Sequence, residues 1–97
     1  MKINLENFKG NIVQLMRKLG YHPDRRSRAD DPSFSRPLRG GKFPRFHIYY
    51  KPSRNQLNLH LDQKAPRYSS ASDHGAEYEG KLVNEEAKRI KEYVKNN

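Results

Sequence analysis

Between Pro44 and Asp62, apolar residues fall on alternate positions twice over. In the first run Phe46, Ile48 and Tyr50 share one side, while Arg45, His47, Tyr49 and Lys51 share the other. In the second, Leu57, Leu59 and Leu61 alternate with Asn58, His60 and Asp62. A period of two is that of a strand, whose successive side chains point to opposite faces. Pro52 has no N–H to give to a ladder, which places the turn at Pro52-Ser53-Arg54-Asn55. A two-residue and a four-residue loop give the same register. Phe46 faces Leu61, Ile48 faces Leu59 and Tyr50 faces Leu57; on the other side Arg45 faces Asp62, His47 faces His60 and Tyr49 faces Asn58. A slip of one residue would set leucines against polar groups, which a buried face forbids. The Arg45–Asp62 pair adds about 0.2–1 kcal/mol.

A longer period governs the two ends. Leu5, Phe8, Ile12, Leu15, Met16 and Leu19 recur at steps of three and four, which predicts a helix within residues 1–20. Gly20 reads as its stop, and Arg17 and Lys18 suit its negative end. Gly10 costs up to ~1 kcal/mol, so the firm part is expected from near Phe8. Val83, Ala87, Ile90 and Val94, with Leu82 and Tyr93 beside them, predict a second helix over 81–97. In that helix Glu85 and Glu86 come early and Lys88, Arg89, Lys91 and Lys95 late, as the dipole favours; Glu85 and Arg89 are spaced to pair.

Between these elements, residues 21–44 read as loop with one short strand, Ser33–Leu38. Phe34 would reach the core and Pro37 would hold the strand at an edge. The arginine run from 25 to 28 is expected to be mobile. Arg39-Gly40-Gly41-Lys42 is a turn whose bare backbone can approach a phosphate. Residues 63–80 form a long connection with a serine-rich middle, a length that points to function or disorder. The sum is a single α+β domain, 1–97, of order α-β-β-β-α. Its small antiparallel sheet carries both helices on the Phe46/Ile48/Leu59/Leu61 face. The Arg45/His47/Tyr49/His60/Asp62 face is left open, or covered only by the 63–80 connection.

Composition sharpens this picture. Hydrophobic residues make up 33% of the chain, so the core is small, and the absence of cysteine excludes disulfides and thiolate metal sites. No apolar run approaches the roughly 20 residues of a membrane span, and the N-terminus has no apolar signal region. A soluble cytoplasmic protein without a membrane partner is the expectation. The formal net charge is +9. It is concentrated in residues 1–67, which carry +10 against −1 for the remainder. A basic body of this kind favours a polyanion partner.

Several chemistries fit the polar sheet face. For nucleic-acid binding, RNA slightly ahead of DNA, Arg25, Arg26, Arg28, Arg36, Arg39 and Lys42 would hold phosphates. Arg45, Lys51, Lys64 and Arg67 add charge, Tyr49 and His47 can stack on bases, and Asn58 can hydrogen-bond. For metal-independent phosphodiester cleavage, His47 and His60 face each other, one as base and one as acid, with an arginine or lysine on the transition state. A metal site from His47, His60 and either Asp62 or His74 is a weaker alternative, because no compact ligand motif is present. The plainest alternative is that the histidines only furnish an exposed sheet. A docking module for an acidic protein is the rival to nucleic-acid binding. No cofactor is called for. His22 is expected in a loop, and His74 matters only if the long connection folds over the hairpin.

The pieces Leu15-Met16-Arg17-Lys18-Leu19-Gly20-Tyr21-His22-Pro23, Arg36-Pro37-Leu38, Pro44-Arg45-Phe46-His47, Leu57-Asn58-Leu59-His60-Leu61-Asp62-Gln63-Lys64 and Gly75-Ala76-Glu77-Tyr78-Glu79-Gly80 resemble a family of small bacterial proteins with no assigned activity. More remotely, the order of elements is similar to the double-stranded-RNA-binding-like fold, which includes the RNA-cleaving HicA toxins. The HicA motif is Gly-Ser-His, and the corresponding stretch here is Pro44-Arg45-Phe46. The resemblance therefore implies a fold, and the toxin's catalytic histidine would fall on Phe46.

Overall fold

The computed structural model describes residues 1–6, 8–63, 76–77 and 80–96. Lys64, Arg67 and His74 lie outside the described residues. The chain is α+β, as its periodicities predict. In order it forms β1 (Lys2–Asn4), α1 (Ile12–Lys18), β2 (His22–Pro23), β3 (Ser33–Pro37), β4 (Arg45–Lys51), β5 (Gln56–Asp62), β6 (Ala76–Glu77) and α2 (Lys81–Lys95). All strands join one antiparallel sheet of order β1-β5-β4-β3-β2, with β6 also on β5.

The central hairpin has the expected register, from Arg45 opposite Asp62 to Tyr50 opposite Leu57. Its loop is the four-residue version. A 3-10 turn over Pro52–Arg54 ends at Asn55, whose φ of 47° is left-handed, a conformation asparagine tolerates. Asn55 also ties the hairpin to the N-terminus. Its Nδ2 donates to the Leu5 and Phe8 carbonyls at 2.6 and 3.2 Å, and its Oδ1 accepts from the Tyr50 hydroxyl at 2.8 Å.

The N-terminal helix is shorter than its apolar stripe predicts. Asn11 caps it by accepting from the Gln14 N–H at 3.1 Å, so the helix begins at Ile12. Lys2–Asn4 instead extends the sheet along β5, with Ile3 opposite Leu57. Ile3 and Leu5 still reach the core, each 1% exposed, from extended chain. Gly20 closes α1 at φ 96°, where an L-residue would be strained.

Both helices cover the same sheet face, and Met16, Ile48, Leu57, Leu59, Val83 and Ile90 are fully buried there. A buried carboxylate, Glu86, braces this layer. It accepts from the Tyr21 hydroxyl at 2.6 Å, from Arg36 at 3.1 and 3.3 Å, and from Arg89 at 2.8 and 2.9 Å. Arg89 thus turns to Glu86 rather than to Glu85, and also donates to the Leu19 carbonyl at 2.6 Å. Burial opposes the Glu86 charge, but the hydrogen bonds from Arg89, Tyr21 and Arg36 outweigh it and hold its pKa low. Burial first, and the Glu86 charge second, push the Tyr21 phenol well above its ordinary value. Among the described residues, no helix is long and apolar enough to cross a membrane.

Candidate functional site

The polar face of the sheet is organised by its ladders into three rungs, because directly paired residues share a face. Lys2, Asn58, Tyr49 and Ser33 form one. His60, His47, Ser35 and His22 form the second. Asp62, Arg45 and Pro37 form the third. His47 and His60 are therefore direct neighbours, with ring centroids 4.9 Å apart. Tyr49 lies over both, 4.5 Å from the His47 ring and stacked on His60 at 5.6 Å and 16°.

This face is less open than its alternation implies. His47 is only 8% exposed and His60 only 6%. The cause is the segment after β2. Far from being a free arginine run, residues 24–33 close on themselves. Asp24 N–H donates to the Ser33 carbonyl at 3.0 Å, Ser27 N–H to the Asp24 carbonyl at 3.0 Å, and Ser33 N–H to the Ser27 hydroxyl at 3.0 Å. Asp24, two residues after His22 and thus on the same face, is delivered onto His47.

His47 is clamped between two carboxylates. Its Nε2 lies 2.8 Å from Asp24 and its Nδ1 lies 3.3 Å from Asp62. Asp62 also takes His60 Nε2 at 3.1 Å and Arg45 Nε at 3.3 Å, while the Ser35 hydroxyl donates to Asp24 at 2.5 Å. Burial works against a charged imidazole, but the two carboxylates prevail and raise the His47 pKa from 6.5 to about 9. Asp24 responds in the opposite sense. Burial would raise it, yet the hydrogen bonds from His47 and Ser35 bring it down to about 2. Asp62, also opposed by burial, is held well below its ordinary range by His47 and His60. At neutral pH His47 is accordingly a doubly protonated cation that holds its protons on carboxylates. In that state it can give a proton but has no lone pair with which to take one.

Above this cluster runs a groove of about 1020 Å³ whose wall includes Arg25, Arg26, Asp31, Lys42 and Tyr49. Arg25, Arg26 and Lys42 are exposed, and no ion pair engages them among the described residues. The other basic candidates are placed differently. Arg36 points to the helix layer, where Glu86 holds it and its guanidinium sits over the Tyr21 and Phe46 rings; it takes no part in this face. Arg45 belongs to the floor through Asp62 and lies 4.8 Å over the Phe43 ring. Arg28 is exposed beside Asp30 at 3.7 Å, and Arg39 and Lys51 are exposed.

Asp24 and Ser35 are the site members that periodicity misses. β2 is two residues long, too short to leave a pattern, and Asp24 reads in the sequence as a mere counter-charge among arginines. The available signal is that His22 and Asp24 are two apart, the spacing of one strand face. No protein-family model, no curated protein and no solved structure matches this chain, so the site is read from its own geometry.

Proposed function

We propose that the protein binds nucleic acid along this groove, single-stranded RNA ahead of DNA. The observation that carries the reading is the juxtaposition of three exposed cations, Arg25, Arg26 and Lys42, unpaired among the described residues, with the partly exposed Tyr49 in one groove. Cations spaced along a groove track a phosphate backbone, and an aromatic ring in its wall stacks an unpaired base. Bases are free to stack in this way in single strands, not within a duplex. Of the three aspartates that line the groove, Asp24 and Asp62 do not oppose an anionic ligand strongly, because His47, His60, Arg45 and Ser35 already engage them, and Asp31 is outnumbered by Arg25, Arg26 and Lys42. Asn58, beside Tyr49 on the same rung, offers an amide to a base edge or a ribose hydroxyl.

The experiment is a titration of a labelled single-stranded RNA, and of the DNA of the same sequence, at several salt concentrations. Three phosphate contacts predict a log–log salt slope of about −2, from roughly −0.7 per neutralised phosphate on a single strand. RNA is expected to bind more tightly than DNA. Absence of binding at about 50 mM salt, where such contacts are strongest, would remove the proposal.

A further inference from the structure

We propose that His47 Nδ1, His60 Nε2 and an Asp62 carboxylate oxygen form a site for one divalent transition-metal ion, zinc by donor type, with Asp24 as the outer carboxylate that orients His47. The three groups offer ligand atoms that all lie within 4.8 Å of one another. Asp62 lies against both rings, its Oδ2 3.3 Å from His47 Nδ1 and its Oδ1 3.1 Å from His60 Nε2. Bonds of about 2.0–2.2 Å in a tetrahedron set ligand atoms about 3.3–3.5 Å apart, and each imidazole nitrogen already stands near that distance from one oxygen of the Asp62 carboxylate. Binding through one carboxylate oxygen would draw the two imidazole nitrogens and that oxygen together from a spread of no more than 4.8 Å.

The scaffold holds this arrangement firmly. His47 and His60 are directly paired on adjacent strands, and Asp62 is two residues along β5 on the same face. All three come from ladder positions rather than loops. Two imidazole nitrogens with one carboxylate oxygen suit zinc and its first-row neighbours. They do not suit magnesium or calcium, which prefer oxygen alone.

His47 has the outer carboxylate partner that a ligating histidine takes. His47 turns Nε2 to Asp24 at 2.8 Å, and Asp24 is itself held by the Ser35 hydroxyl at 2.5 Å. A histidine that donates one ring N–H to a carboxylate presents its other nitrogen in a fixed direction, as ligating histidines do. When the ion binds, the hydrogen on Nδ1 leaves to solvent and the nitrogen lone pair takes the metal; the hydrogen on Nε2 stays on Asp24. The site is independent of the RNA-binding reading and is tested without RNA.

Metal-stripped full-length protein is titrated with cobalt(II), whose visible absorption reports its coordination, and then with zinc. Saturation at one cobalt per chain is expected, with zinc abolishing the absorption. His60→Ala is expected to weaken cobalt binding by at least 100-fold, and Asp24→Asn by about 10- to 100-fold. His22→Ala, on the same rung but exposed, should change nothing. No saturation at one equivalent, or equal losses in His22→Ala and His60→Ala, would overturn the proposal. Because His60→Ala can fail to fold, ring-nitrogen NMR on the wild-type chain with zinc supplies a second reading. Nδ1 of His47 and Nε2 of His60 are expected to shift while His22 stays put; a zinc-bound Nε2 of His47 would refute the assignment.

Discussion

Glu86 and His47 are both buried ionisable groups held by charged neighbours, and they lie on opposite faces of one sheet. Glu86 is 4% exposed and receives every donor it needs from its own chain: Tyr21, Arg36 and Arg89. Those guanidiniums stay charged at any moderate pH, so the cluster has one state. It joins α2 to the end of α1 and to β3. His47 is 8% exposed and equally well held, but by Asp24 and Asp62, through protons that can leave. A groove lies over it, whereas Glu86 sits in packed core. Buried charge alone therefore does not mark a site. A network that closes on permanent charges serves as a brace; one that closes on exchangeable protons beneath a groove can respond to what enters.

The contrast can be broken first at the brace. Glu86→Ala would leave two guanidiniums and a phenol without their acceptor. Removal of one partner from a buried pair costs up to about 3–5 kcal/mol. Arg36 and Arg89 keep part of their side chains in water, which reduces the expected loss to about 3 kcal/mol. Urea unfolding measures it, and RNA affinity of the folded fraction should be unchanged. An equal loss of RNA affinity would mean that the two faces are not separate.

The His47 clamp comes next, and its signature is pH dependence in metal-free protein. The folded pKa is raised from 6.5 to about 9. The stability it contributes is therefore complete below pH 6.5 and is lost as pH rises through about 9. Asp24, lowered from 3.8 to about 2, contributes above 3.8 and loses its contribution as pH falls through about 2. Urea unfolding should show a plateau between these limits and a decline from pH 6.5 to 9. In His47→Gln the alkaline decline should vanish. Its survival in that variant would assign it to another group.

These two clusters also mark how far the sequence can be read. Strand alternation gave the hairpin register rung by rung, because leucines facing polar groups leave no alternative. The same alternation put His47 and His60 side by side. It could not show what lies across β3, since the strand that delivers Asp24 is two residues long and carries a proline. The N-terminal stripe misled for a different reason. Leu5 and Phe8 keep helical spacing with Ile12, yet Gly10 and the Asn11 cap start the helix later, and extended chain takes Ile3 and Leu5 into the same core. Glu86 was legible in principle. It falls three residues after Val83 and four before Ile90, inside the apolar stripe, and a carboxylate at such a position requires buried partners.

Smaller effects sharpen the division between faces. Tyr49→Ala should lower RNA affinity by about 1–3 kcal/mol, the range for loss of one stacked base, with little change in stability because the residue is 38% exposed. An unchanged affinity would remove Tyr49 as a stacking platform. Smaller still, Arg25→Ala should make the salt slope shallower by about 0.7, while Arg36→Ala should lower stability and leave the slope alone. A slope altered by Arg36→Ala would show that its guanidinium is not committed to Glu86.

The most direct measurement is the salt dependence of RNA affinity in a chain carrying Arg25→Gln, Arg26→Gln and Lys42→Gln together. The three side chains are exposed and unpaired among the described residues, so urea unfolding should match the wild type. The expected result is a salt slope shallower by about 2 and binding almost lost near physiological salt. Wild-type affinity and slope in that triple variant would contradict the assignment of the groove.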